Sequence, residues 1–317
     1  MKLSDLYTRA VKRGLAVDPR TKEQIRAYLS SRKKEFGKLR GVERSNFDTE
    51  SLRHPFADTR ILHGDPDTEI TSMMVGIDAD IGELLIADAM NKRGERVDLV
   101  VSHHPSGRAL AGLHQVMSVQ LDILEGLGIA RKIGEELLKE RMSEVERRIL
   151  PSNLTRTTDA ARLLDVPFMC IHTPADNHVV RYLEGLFKKE RPGKIADLLT
   201  LLTKIPEYSD AIRHGAGPRL LTGDKKNKPG RIFVDMTGGT EGPKNIFARL
   251  SQAGVGTMVV MHLSEEHFKS VKPEHINVII AGHIASDNLG LNLLLDSVLR
   301  NEDVAVIPCS GFVRVKR

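Results

Sequence analysis

Short apolar runs ending in polar, turn-forming residues alternate along this chain with stretches of helical periodicity, and the alternation predicts an α/β fold. Residues 72–78 read as a first strand with Asp78-Ala79-Asp80 at its end, and residues 82–92 as the helix that follows. The run Val97-Asp98-Leu99-Val100-Val101 predicts another strand, stopped by Ser102-His103-His104-Pro105. Residues 113–127 and 131–150 read as amphipathic helices, the second laced with charges at helical spacing and placed to cap a site or make a subunit contact. Further strand-like runs lie at 166–169, 232–234, 259–261 and 277–281. Ahead of them all, Ser4 is placed to cap a first helix, Asp18-Pro19 breaks it, and Thr21 caps a second helix with Ile25, Tyr28 and Leu29 on one face.

The chemistry sits at the strand ends. Two adjacent imidazoles, His103 and His104, suit metal binding better than a core. Successive strand side chains point to opposite faces, so the pair serves two neighbouring ions, or one ion once the chain bends at Pro105. Partners stand at two other strand ends: His172 with Asp176, and His283 with Asp287. Each is a histidine followed four residues later by a carboxylate, and a helix opening at Gly282 or His283 puts the second pair on one face. Open α/β sheets gather ligands at the carboxyl ends of their strands. Mixed imidazole and carboxylate donors suit Zn, Mn, Fe or Co. Cys170, two residues before His172, is a minor candidate for a metal or redox role. Asp78 and Asp80 read as a polar strand terminus, His178 as a support for Asp176, and His267 as a surface residue.

The boxes Ser102-His103-His104-Pro105, His172-Thr173-x-x-Asp176 and Gly282-His283-x-x-x-Asp287, in this order and with these flanking strands, resemble those of the NIF-3-like family (NGG-interacting-factor-3-like proteins), a group that includes proteins described as type 2 GTP cyclohydrolase I. The resemblance runs from Thr71 to the C-terminus. It implies a two-lobed α/β fold with mixed sheets, a dinuclear metal centre between the lobes, and a ring-shaped hexamer. Carried over residue by residue, it implies that His103 and His104 bind the two metals separately, that Asp176 joins one and His283 the other, and that His172 binds an ion or supports a residue that does. The family usually carries Glu, expected to bridge the ions, where this chain has Asp287. Aspartate is one methylene shorter, so bridging requires the helix to sit closer to the metals. The expected organisation is a basic helical extension over 1–66 and a metal-binding core over 67–317. Lobe one takes 67–185 plus 270–317, and lobe two takes 186–269, after a boundary loop at 188–193.

Charge and cysteine content narrow the setting. The chain has 317 residues and a formal net charge of +5. Residues 1–60 hold 15 Lys and Arg against 8 Asp and Glu, so the basicity belongs to the N-terminal segment. That stretch reads chiefly as a solvated helical face, with nucleic-acid binding as the weaker alternative, because few aromatics interleave and no nucleic-acid motif is present. Its two cysteines, Cys170 and Cys309, lie far apart in apolar stretches and imply no disulfide framework, which fits a reducing, cytoplasmic setting. The N-terminus lacks the apolar core of a signal peptide, and no apolar run reaches the roughly 20 residues that span a bilayer.

Together these features predict a metal-dependent hydrolase acting on a small substrate, nucleotide-like by the resemblance. Two divalent ions sharing a water would lower its pKa toward neutrality. His262, just past the strand-like run at 259–261, and His172 are the candidate proton carriers, with Glu265 behind them. Gly238, Gly239 and Lys244, where a strand runs into a Gly-rich turn, are candidates for substrate binding through backbone N–H groups. Two other readings are a non-catalytic metal-binding scaffold or interaction protein, and a phosphoesterase. The second requires Lys244 and the backbone after Gly239 to face the metals.

Overall fold

A computed structural model describes residues 1–317. It has nine strands: β1 (Arg60–His63), β2 (Ser72–Gly76), β3 (Leu99–Ser102), β4 (Phe168–Cys170), β5 (Arg219–Thr222), β6 (Arg231–Asp235), β7 (Val255–Val260), β8 (Asn277–Ile280) and β9 (Ala305–Cys309). They form two mixed sheets, ordered β1-β4-β3-β2-β9 and β5-β8-β7-β6. In each sheet one edge strand, β1 or β5, runs antiparallel to parallel neighbours. Strands β2, β3 and β4 are buried throughout, as their unbroken apolar runs require of parallel strands covered on both faces.

Between the sheets lie the helices Thr173–Glu190 and His283–Val298, packed against each other. Ala175, Leu291 and Leu295 join the core beneath the first sheet, while Val179, Leu183 and Leu289 join the core beneath the second. Helix His283–Val298 is therefore buried around most of its circumference, with Ser286, Asp287, Asn288 and Asn292 enclosed beside its leucines. Both helices start directly after a strand end. This places their first turns, with Asp176 and Asp287, beside the end of β3.

Several boundaries differ from those the sequence suggested. Helix Leu3–Ala16 begins at Leu3 with Lys2 as its cap, so Ser4 lies inside the helix. Leu3, Leu6 and Ala10 are buried in the first core, and β1 belongs to the first sheet, so much of 1–66 is built into the fold. The extension proper is helix Lys22–Lys38, which buries no residue. Its cap is as predicted: Gln24 N donates to Thr21 Oγ1 at 3.2 Å and Thr21 N to Gln24 Oε1 at 2.8 Å. No lobe boundary falls at 185–186. Helix Thr173–Glu190 runs through Gly185, because Leu183 and Phe187 are buried on either side and outweigh the roughly 1 kcal/mol that a helical glycine costs. Nor does the chain return to lobe one at 270: β8 pairs with β7 and β5, and only β9 rejoins the first sheet. The helix expected over 113–127 is two pieces, Leu113–Val116 and Ser118–Gly126. No helix is long and apolar enough to cross a membrane.

The N-terminal helix is fastened to the segment before β1 by a buried polar network. Phe56 N donates to His54 Nδ1 at 3.2 Å, which leaves Nε2–H to donate to the Tyr7 hydroxyl at 2.8 Å, and Tyr7 in turn donates to Glu50. Burial, reinforced by Arg60, pushes the His54 imidazole down to about 3. The folded chain thus keeps His54 neutral where the unfolded chain protonates it, below about pH 6.5. Stability contributed by the neutral ring is present above that pH and is lost as pH falls toward 3. Thermal and urea unfolding of His54→Gln should show a gap between pH 7 and pH 5 smaller than that of the wild type by about 1–2 kcal/mol. An unchanged gap would place the acid sensitivity elsewhere.

Candidate metal centre

Three strand ends converge. After β3 the chain bends, with His103 N donating to Gly76 O and His104 N to Ile77 O, both at 2.9 Å. The bend defeats strand alternation and brings the two imidazole centroids to 5.3 Å. After β4, His172 occupies the N-cap of helix Thr173–Glu190, with Pro174 in its first turn, and Asp176 follows one turn later. After β8, Gly282 turns the chain at φ 110, where a Cβ would meet Ala216 O at 2.8 Å. Helix His283–Val298 then starts at His283 and carries Asp287 on the same face, as the four-residue spacing predicts.

The acceptor and donor atoms left over face one another. His103 Nε2 lies 3.5 Å from Asp176 Oδ1 and 3.5 Å from Asp287 Oδ1. The other oxygen, Asp287 Oδ2, lies 3.4 Å from His104 Nε2 and 3.6 Å from His283 Nε2. His103 Nε2, Asp176 Oδ1 and both Asp287 oxygens are buried without a hydrogen-bond partner. Buried polar atoms are normally satisfied, so this concentration of orphans marks a place for a cation. Three groups have the proximity to hold one: His103, His104 and His172; His104, His283 and Asp287; and His103, Asp176 and Asp287. The last two share Asp287, one oxygen to each.

Each of the first three histidines is oriented through its other nitrogen. His103 Nδ1 meets Ile171 O at 3.0 Å, His104 Nδ1 meets Asp78 Oδ1 at 2.6 Å, and His172 Nδ1 meets Asp58 Oδ2 at 2.8 Å. Tying Nδ1 to an acceptor fixes the tautomer that aims Nε2 at a metal. Asp58 is fully buried and also accepts from the Thr173 hydroxyl at 2.6 Å. Burial opposes its ionisation, but the bonds from His172 and Thr173 hold it below the usual carboxylate range. Burial likewise opposes charge on His172, yet Asp176 and Asp58 raise it to about 9. Burial drives Asp176 up to about 7 against the pull of His172, and drives His103 down to about 4 against the pull of Asp287. Asp287 stays far below the usual range, because His103 and His104 overcome its burial.

Removing one member of the buried His172–Asp58 pair strands the other. Asp58→Ala should cost metal-free protein about 3 kcal/mol in chemical denaturation, whereas Asp78→Ala, at an exposed carboxylate, should cost under about 1 kcal/mol. Equal losses would show that Asp58 does not anchor His172.

The cluster opens into a cleft lined by His172, Asp176, Gly239, Glu241, His262 and His283 among others. His262 stands half exposed at its lip, its ring 4.8 Å from that of His283 and its Nδ1 3.4 Å from Glu241 Oε1. The Glu241 contact raises the imidazole. The structure thus gathers His103, His104, His172, Asp176, His262, His283 and Asp287. Other sequence expectations fall outside. Lys244 turns out to solvent toward Glu266 at 3.2 Å, Gly238 packs on Gln120 and Val119, and Glu265 sits beside Lys269 on the exposed face of its helix. Two residues past Asp176, His178 faces round the helix toward Arg13, and burial lowers it to about 4. His267 is buried, with its Nε2 meeting Gly242 O at 2.9 Å. The Cys170 thiol lies in a different apolar cluster, pushed up to about 12 by burial, which leaves it inert. Asp58, Asp78 and Glu241 were the residues that sequence reasoning missed. Asp78 had been read only as part of a polar strand terminus, and for all three only the fold brings the acid to a histidine.

No protein-family model matches the chain, and no curated protein does. Among solved structures, the chain is similar to a NIF3 superfamily protein from Sphaerobacter thermophilus, with 24% identity, TM-score 0.69, and coverage of 90% of this chain and 98% of that one. It is also similar to reduced HcgD from Methanocaldococcus jannaschii, at 14% identity and TM-score 0.47 over 78% of this chain and 87% of that one. A third likeness is to the protein ybgI, of unknown function, at 14% identity and TM-score 0.46 over 92% and 98%. The chain shares the fold of the Sphaerobacter thermophilus protein, and its buried His and Asp groups could hold a metal ion.

Proposed function

We propose that this NIF3-superfamily fold holds two divalent transition ions and acts as a metal-dependent hydrolase on a small substrate. The observation that carries the reading is the Asp287 carboxylate, whose two oxygens face two different sets of histidines. His103, Asp176 and Asp287 would hold one ion, and His104, His283 and Asp287 the other. The donor set, imidazole with carboxylate and no thiolate, fits Zn, Mn, Fe or Co. Bound there, such ions supply Lewis acidity and a water acidic enough to deprotonate near neutral pH. The chain's own residues do the rest. Asp58 and Asp78 orient His172 and His104, while the buried walls exclude bulk water from His103. His262, paired in turn with Glu241, stands where a proton can pass to a leaving group at the cleft lip, and His172 lines the same cleft.

A catalytic role is favoured over a closed structural site because the cleft reaches His283, Asp176 and His172 directly. The phosphoesterase reading loses its support with Lys244 turned outward. A nucleotide-like substrate, as in the GTP cyclohydrolase type 2-like description, a cytoplasmic location and a hexameric ring belong to the same proposal through the resemblance. Nucleic-acid binding by the basic helix Lys22–Lys38 is the lesser possibility, resting on charge alone. The test is a crystal structure with anomalous data at the metal edges, paired with hydrolysis assays on metal-loaded protein. About two ions per chain are expected at the Asp287 cluster, with an accessible position toward the cleft. Ions closed in by protein ligands, with no hydrolysis, would favour the scaffold reading.

A further inference from the structure

The cleft beside the metal ligands is acidic. Asp176, Asp235 and Glu241 line it, and no Lys or Arg does. The Gly-rich turn after β6, whose sequence suggested a cradle for an anion, instead points Glu241 inward and Lys244 outward. Glu241 is already engaged: its Oε1 accepts from Ser264 N at 2.6 Å and lies 3.4 Å from His262, and its Oε2 lies 3.5 Å from His267. Asp176 belongs to the metal ligands. Asp235 is different. It ends β6 with its carboxylate in the cleft wall, accepts no side-chain or backbone hydrogen bond, and pairs with no cation. The neighbouring Gln120 amide cannot serve it, because its Nε2 is spent on Gly238 O at 3.0 Å and Thr240 O at 2.8 Å. Burial raises the Asp235 carboxyl to about 6, with Glu241 adding to the effect and His262 opposing it.

Its position relative to the reacting centre follows from strand register. Asp235 pairs with Val260, and Val260 with Ile280, so the three stand in one row across β6, β7 and β8. His262 and His283 follow two and three residues after that row. With neighbouring strands about 4.8 Å apart, the Asp235 backbone lies about 10 Å across the sheet from the strand that leads into His283. That span matches a small planar molecule reaching from the carboxylate to the metal ligands. Asp235 is only partly buried, so its free oxygens stay open to donors that a ligand brings into the cleft.

We propose that Asp235 is a specificity-determining residue, selecting a substrate that presents an amidine-like pair of N–H donors at the end remote from the metal centre. The proposal rests on the hydrolase reading for the site, and it assigns the far end of the cleft to donor recognition. A carboxylate accepting two N–H bonds from a planar cation is the strong, bidentate form of this interaction.

The test uses full-length, metal-loaded protein and two probes of the same shape, benzamidine and acetophenone, of which only the first carries N–H donors. Calorimetry or ligand-observed NMR should find benzamidine bound at least about tenfold more tightly than acetophenone. Asp235→Asn should remove most of that preference with metal content unchanged, and Asp235→Glu should retain part of it, which separates recognition from a folding defect. Equal binding of the two probes, or a preference that survives Asp235→Asn, would overturn the assignment. Metal content and hydrolysis read on the same samples keep the two readings apart. Asp235-dependent benzamidine binding in a protein that holds metal but hydrolyses nothing would sink the hydrolase reading alone, and active enzyme indifferent to Asp235→Asn would sink the recognition role alone.

Discussion

Asp287→Ala should lower the metal content of the purified protein from about two ions per chain to less than about one half, the largest loss expected from any single substitution in a two-metal site. The reason is geometric. Asp287 Oδ1 faces His103, and Oδ2 faces both His104 and His283, so one carboxylate serves both candidate groups. Asp176→Ala removes a donor from one group and leaves His104, His283 and Asp287 intact, so it should cost about one ion. The double replacement His103→Ala with His104→Ala should empty the site as Asp287→Ala does. Elemental analysis after gel filtration, with binding titrations of zinc into chelated protein, reads these losses directly. Full metal content in Asp287→Ala would refute the bridging role, and full content in the double variant would refute the site. Helix His283–Val298 starts at His283 itself, which leaves the Asp287 oxygens 3.4 to 3.6 Å from the Nε2 atoms of His103, His104 and His283.

How much of this was legible in the sequence depended on how local the signal was. His103, His104, His172, Asp176, His283 and Asp287 stood out because potential ligand side chains follow apolar runs at strand ends, where open α/β sheets gather ligands. The Thr21 cap and the start of the helix at His283 were likewise written in adjacent residues. Asp58 was not, since its partner His172 lies 114 residues away and the segment around it has neither strand nor helix periodicity. His267 misled for a similar reason: a histidine among charged residues reads as exposed, but the Gly242 carbonyl and the Ser264 hydroxyl bury both ring nitrogens. The role of the N-terminal helix was hidden in the same way. Gly14 allows that helix to approach Pro174 so closely that a Cβ would lie 2.6 Å from the proline Cβ, a contact between segments with no sequence relation. The boundary expected at 185–186 falls inside a helix, because the buried Leu183 and Phe187 on either side of Gly185 hold it there.

The crossing of the two central helices gives the other large effect. At Gly290 a Cβ would stand 2.6 Å from Ala175 O and 2.8 Å from Val179 Cγ2, so helix His283–Val298 can rest on helix Thr173–Glu190 only because the side chain is absent. Backbone oxygen cannot step aside as a flexible side chain can, and the clash must be relieved by moving the helices apart. Gly290→Ala should therefore destabilise the fold by about 1–3 kcal/mol despite alanine's better helix propensity, and Gly290→Val by more. The same displacement separates Asp176, next to Ala175, from Asp287, less than one turn before Gly290, so the variants should also hold metal more weakly. Gly185→Ala supplies the control on the same helix pair. Nothing lies within 4 Å of its would-be Cβ, and the substitution should stabilise the protein by about 0.5–1 kcal/mol with metal binding unchanged. Denaturation midpoints and zinc titrations on the three variants separate the outcomes. If Gly290→Ala behaved like Gly185→Ala, the close crossing would not set the spacing of the two carboxylates; loss of both stability and zinc affinity at Gly290 alone would tie the geometry of the metal centre to one missing methyl group between two helices.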